Sequence, residues 1–273
     1  MTRLFLISFL TLVLIGKSAV SQEDVSLAGD LIQGGVIIGK VGPGTGVSLD
    51  GVLLKVSEEG NFVFGFGRDA EGPALLLIQR SDGSRISREL TIKKRIYKIQ
   101  KIEGVAKKYV SPPKEVSERI SRDAERVAEA RTSNFDTPMY AKGFTWPATG
   151  RISGVYGSQR VFNGVPKRPH FGVDVAAPVG TSITAPAEGV VTLADPDLYY
   201  SGGTVILDHG HGLSSTFLHM KSVTVKVGDL LQQGDQLGTL GATGRVTGPH
   251  LDWRMNWFKK RVDPQTLVGP MPN

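Results

Sequence analysis

The chain has no cysteine among its 273 residues, which removes disulfide frameworks and thiolate metal sites together. Any metal must therefore be held by histidine, aspartate or glutamate. Histidine is itself scarce: there are five, none before position 170. No His-Glu-x-x-His sequence occurs, so a zinc protease built on that helix is excluded. Aromatic residues make up only 7% of the chain, and beyond the N-terminal leader no apolar run is long enough to span a bilayer. The positive excess is small, a formal +6, and Arg3 and Lys17 lie in that leader, which leaves +4. Such a balance implies mild attraction to anionic polymers. With no basic cluster around a recognisable binding motif, nucleic acid is not an expected partner.

What is abundant is glycine, with 34 residues, which favours short strands and many turns. Residues 1–21 read as a secretory signal: Arg3 gives the positive start, LFLISFLTLVLIG the apolar stretch, and Ala19-Val20-Ser21 the small-residue cleavage site. The expected location is therefore outside the cytoplasm, in the periplasm or cell envelope, with no transmembrane segment in the mature chain. From 22 to 110 about six short strands, punctuated by turns such as Asp50-Gly51, predict an accessory β-domain, a sandwich. The basic run KKRIYKIQK reads as a solvated strand face. Residues 111–132 predict one amphipathic linker helix, capped by Ser111 with Pro112 in its first turn. Its apolar stripe is Val116, Ile120, Ala124, Val127 and Ala128. Residues 137–273 return to dense turns and short strands, so the fold class is all-β: two small β-domains joined by one helix.

All the histidines fall in this second domain. HFGVD sets His170 and Asp174 four apart, which keeps them on one face in a strand or a helix. With a third ligand they would make a metal site that keeps a position open for water. In TGPHLDWRM, His250 and Asp252 alternate with Leu251 and so share a strand face. Asp252 can be read as a ligand, a lost ligand or a surface carboxylate. His209 and His211, also two apart, sit among glycines and read as a hairpin turn. Trp253 and Trp257 read as packing residues, and Arg160 and Asn163 as part of a loop bordering the groove.

Four segments in order, PHFGVDVAAPVGTSITAPAEGVVTLA, GGTVILDHGHGLSSTFLHM, VKVGDLLQQGDQLGTLGATGRVTGPHLDW and VDPQTLV, resemble the lysostaphin/LytM-type zinc metallopeptidases, which cleave peptide bonds of bacterial peptidoglycan. The resemblance covers residues 146–267. It implies His170 and Asp174 as metal ligands, His219 as a residue assisting catalysis, His250 as the base, and position 252 as the third ligand. The family has histidine there, and this chain has Asp252. Aspartate is a competent zinc ligand with a shorter reach. One histidine and two aspartates leave Zn²⁺ formally neutral, so bound water is acidified less, and oxygen-rich ligation admits Mn²⁺ as an alternative. The resemblance thus implies metal-assisted hydrolysis, with His250 taking the water's proton and His219 orienting it or stabilising the oxyanion.

A second expectation is a silent domain of this family that binds peptidoglycan and activates a cell-wall amidase. A third comes from VKVGDLLQQGDQLGTL and APAEGVVTLA, which are similar to lipoyl-carrier and sugar-phosphotransferase β-domains. A carrier needs a lysine on an exposed hairpin tip, which is missing, and a phosphocarrier belongs in the cytoplasm, against the leader.

Overall fold

The computed structural model describes residues 25–104 and 113–272. The leader at 1–21 and the capping pair Ser111 and Pro112 lie outside the described residues. In the N-terminal part the strands are β1 (Val25–Ala28), β2 (Val36–Val41), β3 (Gly46–Leu49), β4 (Val52–Leu54), β5 (Asn61–Gly65), β6 (Pro73–Gln79), β7 (Arg85–Thr91) and β8 (Ile99–Ile102). They form two antiparallel sheets, β1-β2-β5 and β4-β3-β6-β7, with β8 in neither. Alternation of side chains puts Val36, Phe62 and Phe64 of one sheet and Leu76 and Ile78 of the other into a shared core. The Asp50-Gly51 turn falls where expected, with φ of 50° and 78° at its two residues, the left-handed pair that a two-residue hairpin requires.

The basic run departs from expectation only in part: Lys93, Lys94, Ile96 and Lys98 are exposed, while Arg95 and Tyr97 turn inward and strap the two parts of the chain together. Arg95 Nη1 meets the buried Asp263 Oδ2 at 2.7 Å, Tyr97 lies under Arg68 at 4.2 Å, and β8 pairs in parallel with β10 (Gln159–Phe162) of the second domain. Alternate charged and apolar residues can serve either arrangement. Carboxylates supplied from far along the chain decided which.

The helix, α1 (Ser117–Ala130), follows a short 3-10 turn at Lys114–Val116, and none of its residues is fully buried. Its inner stripe is Val116, Arg119, Ile120, Asp123, Val127 and Ala130, while Ala124 and Ala128 face solvent. Val127 and Ala130 pack on Leu193, Leu198 and Ile206. Polar anchors to β14 (Gly189–Leu198) complete the contact: Arg126 to Asp195 at 2.7 Å and Arg119 to Asp197 at 2.8 Å. The rotation of the stripe follows from size, since the two alanines offer little apolar area next to these ion pairs.

The second domain also contains β9 (Arg151–Gly154), β11 (Val165–Pro166), β12 (Gly172–Ala176), β13 (Ser182–Thr184), β15 (Gly202–Asp208), β16 (Leu213–Val223), β17 (Leu230–Leu231), β18 (Gln236–Leu240), β19 (Leu251–Trp257) and β20 (Lys260–Val262). One large antiparallel sheet runs β17-β14-β15-β16-β19-β12-β9, with β18 joining β13 to β16 and β20 flanking β19. Trp253 and Trp257 pack in its core as predicted, together with Met255, and Trp257 and Val262 carry that core across to Gly65 of the first domain.

His209 and His211 are structural, in line with the turn reading. His209 donates Nδ1–H to the Glu188 carbonyl at 2.7 Å and accepts from Ser215 Oγ at 2.8 Å. His211 donates from Nε2 to the Asp136 carbonyl at 2.8 Å and accepts from Tyr140 Oη at 2.9 Å. Both rings are fully used. Burial pushes His209 down to about 4, so at pH 5 the unfolded chain holds a proton that the folded one excludes. Stability is therefore expected to fall as pH drops from 6.5 towards 4, by about 1.4 kcal/mol per unit for this group. Thermal melts across that range check it, and His209→Gln, which removes the titrating ring, should flatten part of the slope.

Candidate metal centre

The centre is assembled on three neighbouring strands, β16, β19 and β12. Antiparallel register puts Asp174 directly opposite Asp252, and Leu218 opposite Asp252 on the other side. Two carboxylates facing each other across a ladder repel, and here both are buried, Asp252 completely. Room for them comes from missing side chains: a Cβ on Gly172 would overlap Asp252 Oδ1, and one on Gly154 would overlap Asp174 Oδ2.

His170 enters from the loop before β12, held by its backbone to Ser158 and Gly157, with its Nε2 3.0 Å from Asp174 Oδ1. One ligand atom each from His170, Asp174 and Asp252 lie within 4.8 Å of one another. Both ring nitrogens of His170 and Asp174 Oδ1 are buried and make no well-aligned hydrogen bond, the only close approach being that of Nε2 to Oδ1. Buried polar atoms left without good partners cost stability, and a divalent cation held by one atom from each residue suits one imidazole and two carboxylates. The residues fit a metal.

Two arginines back the carboxylates. Arg160, on β10, pairs with Asp174 Oδ2. Arg254 grips Asp252 from the side, its Nε 3.0 Å from Oδ1 and its Nη2 2.5 Å from Oδ2. Burial pushes the Asp252 carboxyl up, but the Arg254 guanidinium, with His170 and Arg160, holds it far below the usual carboxylate range. Asp174 is raised by burial and by Asp252, and His170 and Arg160 bring it below its ordinary value. The charge count made from the ligands alone therefore changes. An aspartate paired with an arginine carries the same net charge as a neutral imidazole, so the Asp252–Arg254 pair matches a histidine at this position in charge. Arg254 carries the signal the sequence reading passed over: it is the next residue on the face that already bears His250 and Asp252.

His219 and His250 close the cleft, their rings 4.9 Å apart. His219 has φ of 66° where β16 bulges, a left-handed conformation rare for a side-chain-bearing residue and one that functional sites accumulate. Its Nδ1 donates to the Thr243 carbonyl at 2.8 Å, and burial pushes the ring down to about 4, so it is neutral with Nε2 bare. His250 Nδ1 lies 2.9 Å from the Gly248 carbonyl, and Nε2 faces Asp174 Oδ1 at 3.9 Å. A carbonyl only accepts, so neutral His250 also turns a bare Nε2 inwards. These groups line a cavity of about 350 Å³, the size of a small-ligand site. Of the two loop residues, Arg160 reaches the centre. Asn163 instead takes the left-handed position of the β10–β11 turn, with φ of 48°. Trp253 points to the core on the opposite face of β19.

A candidate metal cluster with two imidazoles beside it in one cleft is an arrangement suited to hydrolysis. Residues 168–264 of the C-terminal β-domain match the model of Peptidase family M23. The chain is 42% identical over 103 residues to the peptidoglycan DD-endopeptidase ShyC of Vibrio cholerae and 37% over 107 residues to ShyA of the same organism. Each match covers 38% of this chain and 24% of the relative, so the chain spans about a quarter of those proteins. A crystal structure of a peptidase M23 protein from Pseudomonas aeruginosa superposes with a TM-score of 0.63 at 28% identity, over 87% of this chain and 94% of that one.

Replacing Arg254 by Met would leave a buried carboxylate uncompensated. The metal-free variant is expected to lose about 3–5 kcal/mol. Added zinc should then raise its melting temperature more than it raises that of the parent, which thermal melts with and without zinc would test.

Proposed function

We propose that this protein is an exported metallopeptidase that hydrolyses peptide cross-links of bacterial peptidoglycan. The observation that carries the reading is the convergence of one buried ligand atom each from His170, Asp174 and Asp252 within 4.8 Å of one another. The relatives ShyA and ShyC, described as peptidoglycan DD-endopeptidases, support the substrate class. His170, Asp174 and Asp252 would hold one Zn²⁺, with Mn²⁺ as an alternative. Such an ion supplies Lewis-acid polarisation of a peptide carbonyl and lowers the pKa of a water.

The chain's own groups then divide the work. Arg160 anchors Asp174 through Oδ2, and Arg254 holds Asp252 through both of its oxygens. His250, with Nδ1 committed to a carbonyl, presents Nε2 as the base that takes a proton from the attacking water. His219 is held in the same tautomer and favours the neutral form, so its Nε2 accepts a hydrogen bond and orients that water. This favours the orienting role over oxyanion stabilisation, which needs an N–H at that atom. A silent scaffold that recruits a cell-wall amidase is the weaker reading, because it has no use for converging buried ligand atoms.

No helix among the described residues is long and apolar enough to cross a membrane. Action outside the cytoplasm rests on the leader and on the substrate.

Digestion of purified sacculi is expected to release peptide-cleaved muropeptides, to stop with a chelator and to resume with zinc. His250→Ala should abolish release by at least about a hundredfold while metal analysis still finds one ion per chain. Asp174→Ala should lose both. Equal metal loss in the two variants would overturn the division of roles.

A further inference from the structure

Five arginines line the cavity at the metal centre: Arg131, Arg160, Arg245, Arg254 and Arg261. Three are accounted for. Arg160 and Arg254 neutralise the two aspartates, and Arg245 stacks on Tyr200 at 4.6 Å. Arg131 and Arg261 have no such partner. Arg131, at the C-terminal end of α1, reaches across the cleft to Thr216 Oγ1 at 3.1 Å, and its Nε is buried without a hydrogen bond. Arg261, on β20, donates to Asn256 Oδ1 at 3.0 Å. Among the described residues no carboxylate forms an ion pair with either.

These two like charges are neighbours. Burial, then Arg261 and Arg254, push Arg131 down to about 8, and burial, then Arg254, push Arg261 down to about 10. Two half-buried guanidinium groups facing one cavity repel each other, and packing alone does not repay that. A ligand bearing negative charge does. We propose that Arg131 and Arg261 form an anion subsite that takes a free carboxylate of the substrate peptide, so that the linker helix contributes directly to substrate selection. The inference rests on the peptidase reading given above.

Register gives the distance. Thr216 lies opposite Arg254, and Arg261 lies opposite Asn256. Along β19, Arg254 and Asn256 are two and four residues beyond Asp252 on the same face. At about 3.3 Å per residue the subsite is roughly 7–13 Å from the metal ligands. An extended peptide covers that span in two to four residues, so the recognised carboxylate lies that far from the scissile bond. A planar carboxylate matches the fork of donors that a guanidinium presents, and two such forks can bind both of its oxygens.

The test uses the intact, chelator-treated chain and a synthetic cross-linked stem-peptide dimer in two forms, with its carboxylates free or amidated. Binding is measured by calorimetry. The acid form should bind at least about tenfold more tightly than the amide. Arg131→Gln and Arg261→Gln should each remove most of that difference and leave amide binding within about twofold, and Arg131→Lys should restore part of it. Both Gln variants should melt at or above the parent temperature, since each removes an unpaired buried charge; a merely structural arginine would lower it. Equal loss for acid and amide, no loss for the acid, or a lowered melting temperature with unchanged selectivity overturns the proposal. So does inorganic phosphate binding as tightly as the acid peptide. Failure of the zinc-loaded parent to cleave either form, with acid selectivity intact, would count against the peptidase reading and leave the subsite standing.

Discussion

Two carboxylates buried directly opposite each other on adjacent strands dominate this molecule. Asp174 and Asp252 cannot both stay ionised in a protein interior without positive charge on several sides. The fold provides it in layers. Arg160 holds one oxygen of Asp174 and Arg254 both oxygens of Asp252, while one ligand atom from each carboxylate and one from His170 converge. Missing Cβ atoms at Gly154 and Gly172 give the carboxylates space, and β9, β12 and β19 must stay in register for that space to exist. Much of the second domain can be read as the frame that keeps this register.

The same constraint explains how aspartate can stand where the resembling family has histidine. As an isolated substitution it alters charge and reach together. Coupled to Arg254 it alters mainly reach, because the pair is neutral, as an unprotonated imidazole is. The departure from the family pattern at Asp252 is thus compensated in charge by a neighbour on the same strand face. The cost is that Asp252 shares its oxygens with a cation, which tempers its donor strength toward a metal.

The N-terminal part is tied to this frame rather than suspended from it. The strap through Arg95 and Tyr97 ends in β8, which pairs with β10, and β10 carries Arg160 to Asp174. Likewise α1 ends in Arg131, whose guanidinium lies across the cleft at Thr216. Both elements that connect the domains therefore deliver an arginine, or the strand bearing one, to the site. A linker whose only task was to span a distance would not need either contact.

Much of the architecture was legible from residues alone. The all-β class, the Asp50-Gly51 hairpin, the structural turn at His209–His211 and the packing of Trp253 all follow from local rules: glycine at left-handed turns, alternation along strands, apolar side chains turned inward. The grouping of His170 and Asp174, four apart, was legible for the same reason, as was the shared face of His250 and Asp252. Misread was the stripe of α1, where ion pairs to β14 set the rotation, and unforeseen in the basic run was the inward turn of Arg95, whose partner Asp263 lies more than 160 residues away. Passed over were Arg254 as a partner of Asp252 and Arg131 as a wall of the cleft. Spacing within one strand or turn determined by itself which side chains share a face. Which charges meet across strands depends on register and on long loops closing, and only the tertiary structure decided that, because a buried charge is governed by whatever the fold brings within a few ångströms of it.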